Sequence, residues 1–387
     1  MDDAVLQKAS EVAAGCAERA GEYDRAGEFP EQDFAALRAA GLLGLMAPER
    51  LGGAEAGFAD YAEVAMRLGA GAGATALLFN MHASVTGALA LTPEELARAV
   101  GAPESFFALR DRVLTDAVKG AFFAVAMSER GAGSRLTRLQ TTYRRVEGGW
   151  HITGAKSFCS GAGHADGYLI AAHAEDDQQK VSQFLVPADA VQVEPTWDSL
   201  GMRATVSHDI RIDAVVPDDT LIGGIEGLGV LLAQAMPQWL VASYSAVYVG
   251  VAQAAVAAAV AQVNERGLHR LPAVRSRIGQ ADASVAAAAQ VVREAARRVD
   301  AEPGTPETNR WVWRAKLLAG QTAMDVAASM LEACGSSASR RGHPLERLFR
   351  DARCGSLQPA TSDVCRDWLG LAALGLDPEA QAEVPRW

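Results

Sequence analysis

The sequence predicts a mainly α-helical protein with a central β domain. Its 387 residues exceed the roughly 250–300 residues at which one hydrophobic core usually stops growing, so two or three domains are expected. The composition also changes twice along the chain, from helix formers to short β-branched and aromatic runs and back again. We therefore predict an N-terminal helical domain (residues 1–118), a β domain (119–222) and a C-terminal helical bundle (223–387).

The N-terminal zone is rich in Ala, Leu, Glu and Arg, which favour helices. Pro30 is typical of a helix start, and Phe34 and Leu37 follow at the spacing of an apolar helix face. Gly52 and Gly53 then interrupt the pattern, and helical spacing resumes beyond them. This zone therefore predicts several short helices joined by tight turns.

The middle zone contains short β-branched or aromatic runs separated by Gly, Pro or Asp, which is typical of strands. The runs cover residues 122–127, 141–146, 150–152, 168–172, 183–186, 191–193 and 208–212. Between two of them stands Glu147-Gly148-Gly149, which predicts a hairpin. Such closely spaced short strands predict a small antiparallel β-barrel or sandwich.

The C-terminal zone has apolar residues at alternating steps of four and three, which is the pattern of a helix seam in a bundle. The seam comprises Val274, Ile278, Ala281, Val285, Ala288, Val292, Ala295 and Val299. Its small alanines allow close helix approach, which also suits a subunit interface. Pro303, Gly304 and Pro306 predict a turn between two bundle helices. The expected architecture is a four-helix bundle.

The net charge and the cysteine content argue against several classes of function. The net charge of −11 argues against a nucleic-acid binder, which would carry a basic stripe. The longest apolar stretch, residues 250–263, falls short of the roughly 18–20 residues that span a bilayer, so no membrane partner is expected. Five scattered cysteines without a CxxC pair indicate free thiols in a reducing cytoplasm and no metal site, and no signal peptide is visible.

Two motifs in the β zone contain residues suited to a phosphorylated or planar ligand. Met127-Ser128 and Gly133-Ser134 directly follow a predicted strand, where small residues let backbone N–H groups approach a ligand and Ser hydroxyls add donors. Phe158 lies further along, beside the hydroxyl residue Ser160. An isolated aromatic of this kind is usually part of a core, but the two motifs together favour a binding site.

A third motif, Arg350-Asp351-Ala352-Arg353, precedes Pro359-Ala360-Thr361-Ser362 near the C-terminus. With the two earlier motifs it resembles the acyl-CoA dehydrogenase family over nearly the whole chain. The resemblance implies a flavoprotein with FAD as cofactor. The flavin-binding residues that it implies are Met127, Ser128, Gly133, Ser134, Phe158, Ser160, Arg266 and Thr361.

The resemblance also implies individual roles for these residues. Phe158 would pack beside the isoalloxazine ring, and the Ser160 hydroxyl would donate a hydrogen bond to flavin N5. Ser134 would contact the pyrophosphate, and Arg266 would reach the pyrophosphate of a neighbouring subunit. Residues 332–336 depart from the family's adenosine-binding loop, so recognition of the isoalloxazine ring is better preserved than recognition of adenine.

The catalytic base of the family is missing. Pro359 stands where the family carries the Glu that removes the substrate α-proton, and Leu240 occupies the second position at which some members place it. Proline and leucine have no group that accepts a proton. Asp363 and Glu332 are the weak candidates for a displaced base.

Three functions remain open. The first is a flavin-dependent oxidoreductase acting on an acyl-CoA or acyl-carrier-protein thioester with a non-standard base, and we rank it slightly ahead. The second is a flavin-dependent monooxygenase of the same fold, which uses oxygen and FMN or another reduced flavin supplied by a reductase. The third is a non-catalytic partner subunit or thioester-binding protein. The resemblance implies a homodimer or homotetramer, and an electron acceptor or a flavin reductase as partner.

Overall fold

The computed structural model describes residues 3–239 and 242–380. It confirms a mainly helical chain with a central sheet. The N-terminal helices are α1 (Asp3–Ala26), α2 (Glu31–Ala39), α3 (Phe58–Gly71), α4 (Gly73–Ala90), α5 (Glu94–Ala99) and α6 (Glu104–Val118). As expected, α2 begins directly after Pro30 and buries Phe34 and Leu37 completely. Helix α4 is buried on nearly all its faces, so it forms part of the core of this unit.

The central sheet contains β1 (Phe123–Ala126), β2 (Thr142–Val146), β3 (Gly149–Cys159), β4 (Gly167–Ala174), β5 (Asp177–Pro187), β6 (Val191–Glu194) and β7 (His208–Val216). Each predicted β run overlaps one of these strands, and the Gly148-Gly149 hairpin joins β2 to β3. The strand order is β1-β4-β2-β3-β7-β6, with β5 paired to β4.

The sheet is mixed rather than wholly antiparallel, because β4 pairs in parallel with both β1 and β2. Hairpins enforce antiparallel pairing, whereas strands joined by long connections are free to pair in parallel. About forty residues separate β1 from β4, and they include the glycine-rich segment at residues 131–134. This long connection brings that segment to one end of the sheet.

The C-terminal unit contains α7 (Gly229–Ala235), α8 (Ala242–Glu265), α9 (Pro272–Ala301), α10 (Pro306–Cys334), α11 (Pro344–Cys354) and α12 (Ser362–Ala373). The predicted turn separates α9 from α10, and Thr305 caps α10 by accepting a hydrogen bond from the Thr308 backbone N–H at 3.3 Å. The predicted seam of α9 is buried, except for Ile278, which is half-buried.

Helix α8 is the most apolar helix of the bundle. By length and composition alone, the stretch Pro237–Glu265 could cross a membrane. In the structure, α8 packs against α3, α10 and α11, and Val247, Val251 and Ala255 are fully buried. Helices that are apolar on all faces are typical of the centre of a bundle.

Helix α11 joins all three parts of the chain. The Arg350 guanidinium donates to both carboxylate oxygens of Asp24 in α1, at 2.9 and 2.6 Å, and to the Leu200 carbonyl at 3.0 Å. The neighbouring Asp351 carboxylate accepts from the Met202 backbone N–H at 2.6 Å. The charged motif of α11 therefore has a structural role.

Candidate active site

The segment after β1 forms an open backbone loop. The backbone groups of Glu129 and Gly133 exchange two hydrogen bonds of 2.9 Å, which closes the loop into a tight turn. Gly131 and Gly133 have φ values of 85° and 64°, and no atom lies within 4 Å of a Cβ placed at either residue. These left-handed conformations favour glycine. The loop thus exposes its backbone to open space, with Ser134 half-buried beside it.

A buried ion pair fixes this loop to the sheet. The Lys156 ammonium donates to the Glu129 carboxylate at 2.7 Å, and both side chains are almost completely buried. The carboxylate also accepts from the backbone N–H groups of Gln140 and Thr141, at 2.6 and 3.1 Å. Burial alone would raise the pKa of Glu129, but Lys156 and these hydrogen bonds lower it. Glu129 therefore stays ionised and structural, and it is not a proton acceptor for a substrate.

Phe158 projects from an irregularity in β3. The register with β7 shifts between Lys156 and Cys159, and Phe158 has a φ of 58°. Its side chain is 68% exposed, although Phe is usually buried, and the Trp197 ring lies edge-on at 6.1 Å. Non-glycine residues in this conformation are strained and cluster at functional sites. An exposed aromatic face held in this way can form one wall of a site for a planar ring.

Ser160 begins a line of hydroxyl groups beneath this aromatic wall. Its Oγ lies 2.9 Å from Ser207 Oγ, which lies 2.7 Å from Thr205 Oγ1. Thr205 Oγ1 in turn donates to the Met202 carbonyl at 2.8 Å. All three hydroxyl side chains are buried. The sequence identified Ser160 but not its two partners, because their contact depends on the pairing of β3 with β7.

Two arginines near the glycine loop differ in their pairing. Arg130 lies 2.7 Å from the Asp209 carboxylate, which neutralises its charge. Arg135 donates through Nε to the Ala132 carbonyl at 3.1 Å. Among the ion pairs of the described residues, none includes Arg135. Arg135 therefore gives the loop a net positive charge close to Ser134.

The loop that carries Pro359 is held by neutral and cationic donors. Lys316 Nζ donates to the carbonyls of Gly355 and Gln358, at 2.8 and 3.2 Å, and the Tyr248 hydroxyl donates to Gln358 Oε1 at 2.7 Å. Lys316 is completely buried, and this burial lowers its pKa to about 8. Lys316 was not predicted from the sequence, although a lysine directly before the apolar run at residues 317–320 was a usable signal.

Neither candidate for a displaced base lies in this site. The Asp363 side chain is 93% exposed and pairs with Arg366 at 2.8 Å. The Glu332 side chain is 60% exposed and pairs with Arg277 at 2.5 Å. Leu240, the second base position, lies outside the described residues. The structure thus leaves Pro359 without a substitute among the carboxylates that the sequence suggested.

The remaining predicted flavin residues are spread over several elements. Thr361 is the N-cap of α12, and its hydroxyl accepts from the Val364 N–H at 3.4 Å. Arg266 follows α8 and donates to Ser337 Oγ at 2.8 Å. Its predicted contact with a neighbouring subunit stays a prediction. Met127 is buried at the end of β1, next to the half-buried Ser128.

Three family models match this chain, one in each of its three parts. The acyl-CoA dehydrogenase N-terminal domain matches residues 3–99, the middle domain matches residues 124–215, and the C-terminal domain matches residues 242–361. These matches cover the helical start of the chain, the sheet and the bundle through Thr361.

Individual relatives include both dehydrogenases and oxygenases. L-evernosamine nitrososynthase of Micromonospora sp. is 31% identical, with 92% of this chain and 87% of the relative covered. Benzylmalonyl-CoA dehydrogenase of Aromatoleum aromaticum is 27% identical, with 90% and 91% covered. The FMN-bound structure of TdsC, a dibenzothiophene monooxygenase from Paenibacillus sp. A11-2, superposes with a TM-score of 0.83 at 27% identity, with 96% and 97% covered.

Proposed function

The chain belongs to the acyl-CoA dehydrogenase family, and on that premise we propose that it is a flavin-dependent monooxygenase of this family rather than a thioester dehydrogenase. The observation that carries the proposal is the surroundings of Pro359. Lys316 and Tyr248 supply donors there, whereas Asp363 and Glu332 pair with arginines at the surface. Removal of an α-proton requires a positioned base, and oxygen transfer from a reduced flavin does not.

The residues around the glycine loop fit a flavin. The open cradle at Gly131 and Gly133 leaves room for a ligand beside the backbone, and exposed Phe158 offers an aromatic face. Gly133 and Ser134 would hold the phosphate end, and Phe158 and Ser160 would contact the ring. When bound, the reduced flavin supplies two electrons to oxygen, and one oxygen atom is transferred to the substrate while the other leaves as water.

We favour FMN over FAD as the cofactor. Arg135 adds a cation beside Ser134, and one guanidinium is well suited to a terminal phosphate monoester. Residues 332–336 depart from the adenosine-binding loop of the family. The FMN-bound structure of TdsC supports the same choice.

The proposed substrate is a small molecule with an oxidisable nitrogen or sulfur atom. The names of two relatives, a nitrososynthase and a dibenzothiophene monooxygenase, support this class. Leu77 and Met81 of α4 share one buried cluster with Tyr248 and Val251 of α8, so the Tyr248 ring, whose hydroxyl donates to Gln358, lies among apolar side chains. The proposed partners are a separate flavin reductase in the cytoplasm and further copies of this chain in a homo-oligomer.

The test compares two reactions of the purified protein. We expect the protein to be isolated without bound flavin and to consume oxygen beyond a protein-free control when a reductase supplies reduced FMN. We also expect oxidised flavin added to the protein to stay unbleached by acyl-CoA and acyl-carrier-protein thioesters without oxygen. Co-purifying FAD that thioesters bleach anaerobically would overturn the proposal in favour of dehydrogenation. Failure to bind any flavin at micromolar concentration would leave only the non-catalytic role.

A further inference from the structure

The line of hydroxyls beneath Phe158 has a fixed direction. A hydroxyl has one hydrogen to donate and two lone pairs to accept with. Thr205 uses its hydrogen on the Met202 carbonyl at 2.8 Å, so at its contact with Ser207 it must accept. Ser207 then donates to Thr205 at 2.7 Å and must accept from Ser160 at 2.9 Å. The Ser160 hydrogen therefore points to Ser207, which leaves only the lone pairs of the Ser160 oxygen for a ligand.

The far end of the line is held rigidly. Met202 and Val206 bound the short turn Arg203–Thr205 with φ values of 54° and 41°, which non-glycine residues rarely adopt. The Asp351 carboxylate accepts from the Met202 N–H at 2.6 Å, and Thr205 N also donates to the Met202 carbonyl at 3.0 Å. A strained turn persists only where its surroundings over-determine it. The direction of the hydroxyl line is thus set by the Met202 carbonyl, in a turn that Asp351 of α11 anchors.

We propose that Ser207 and Thr205 are positioning residues that fix Ser160 as a hydrogen-bond acceptor, which makes the site selective for reduced flavin. The reduced isoalloxazine ring carries an N–H at N5, whereas the oxidised ring carries only a lone pair there. A Ser160 oxygen that only accepts can take a hydrogen bond from the N5 N–H of the reduced ring. Beside the oxidised ring, the same oxygen repels the N5 lone pair. The inference rests on the proposed function, and it reverses the donor role that the family resemblance implied for Ser160.

Such selectivity matches an enzyme that receives its flavin in the reduced state. Loss of one hydrogen bond in a buried site, with two acceptors left facing each other, changes affinity by about tenfold or more. Reduced FMN would therefore be captured from solution, and oxidised FMN would be released at the end of each turnover. The hydroxyl line alone provides this preference, without any movement of the fold.

The experiment measures the dissociation constants of oxidised and reduced FMN anaerobically, by fluorescence titration of the flavin-free protein. For the wild type we expect reduced FMN to bind about tenfold more tightly or better. Ser207→Ala frees the Ser160 hydroxyl to donate, so the preference should fall to about twofold or less. Thr205→Val should act in the same direction, and Thr205→Ser should keep the wild-type ratio.

The matched control is Ser182→Ala, which removes another buried β-domain hydroxyl. Ser182 donates to the Tyr143 hydroxyl and accepts from the Gly227 N–H, both at 2.9 Å. Ser182→Ala should leave the ratio unchanged. The proposal is overturned if the wild type binds oxidised FMN as tightly as reduced FMN, or if natively folded Ser207→Ala or Thr205→Val keeps the full preference. A redox preference without oxygen consumption would refute the proposed monooxygenase and retain this inference. Oxygen consumption without a preference for reduced FMN would refute this inference and retain the proposed monooxygenase.

Discussion

Lys316 is a buried ammonium that faces carbonyl groups and an aromatic ring rather than a carboxylate. Its Nζ donates to Gly355 and Gln358 and lies 5.9 Å from the centre of the Tyr244 ring. Burial lowers its pKa to about 8, and the neighbouring Cys365 thiol opposes this shift only weakly. The charged form is thus costly in the folded protein, but its hydrogen bonds hold the loop that carries Pro359.

We predict a specific pH dependence of stability from Lys316. Between its folded pKa of about 8 and the ordinary lysine value of about 10.4, the unfolded state binds more protons than the folded state. Stability therefore rises with pH across this window, by about 3 kcal/mol in total. Chemical denaturation of the wild type and Lys316→Met at pH 7.5 and 10.5 checks this, because other titrations are common to both proteins. A constant difference between the two would contradict it.

The exposed carboxylates Asp363 and Glu332 should not contribute to turnover. Asp363→Asn and Glu332→Gln should each change turnover by less than about twofold, because exposed ion pairs contribute only about 0–1 kcal/mol to stability and neither group lies in the site. Steady-state oxygen consumption with reduced FMN measures this. A loss of about a hundredfold or more in Asp363→Asn is the size expected for a general base. It would restore Asp363 to the catalytic role.

Some residues of the site could be predicted from the sequence, and others could not. Phe158 and Ser160 were predictable because both belong to a short motif that the family resemblance identifies. Ser207 was not, because its role depends on the pairing of β3 with β7, and its donor direction depends on Met202 beyond it. Lys316 lies 39 residues from Gly355 in sequence, so no local pattern connects them.

Among the elements, α11 contacts both the N-terminal helices and the β domain. Its Asp351 is the only bond partner of the Met202 N–H in the described structure, and it also pairs with Arg347 at 3.5 Å. Burial raises the pKa of Asp351, while Arg347 and the Met202 N–H lower it. The helix thus connects a buried carboxylate to the turn that positions Thr205.

We predict that Asp351→Ala destabilises the protein by about 3 kcal/mol, because it leaves a buried N–H and a nearly buried guanidinium without partners. It should also reduce the preference for reduced FMN, since the Met202 turn loses its anchor. Denaturation curves and anaerobic titrations measure the two effects. Asp218→Ala is the control: its pair with Arg145 is more than half exposed, and it should cost less than about 0.5 kcal/mol. Equal losses in the two variants would argue against the anchor.

The elements themselves were largely predictable. Strands follow from β-branched and aromatic runs, and the Gly148-Gly149 turn follows from its need for left-handed glycine. The parallel pairing of β4 was not predictable, because it depends on the path of the long connection between β1 and β4. Sequence pattern determines which residues form strands, but tertiary packing determines which strands become neighbours.

At the scale of the whole molecule, the N-terminal helices, the β domain and the bundle are joined at α11. This architecture was predictable from length, changing periodicity and three motifs, since each unit has its own apolar pattern. The family membership that follows sets a flavin scaffold, but fold alone does not determine the reaction. The reaction depends on a few side chains around Pro359 and Ser160 that the shared fold leaves free to vary.

The flavin should stabilise the whole molecule, and its phosphate should contribute to the effect. A ligand at one hundred times its dissociation constant adds about 2.7 kcal/mol to the free energy of unfolding. For 387 residues that unfold as one unit, this corresponds to a rise in melting temperature of about 3 °C.

At equal concentrations we expect FMN to raise the melting temperature more than FAD or riboflavin does. Arg135→Ala should remove the advantage of FMN over riboflavin, whereas Arg130→Ala should retain it because Asp209 already neutralises Arg130. Calorimetry of the three proteins decides this, and an FMN advantage that survives in Arg135→Ala would place the phosphate elsewhere.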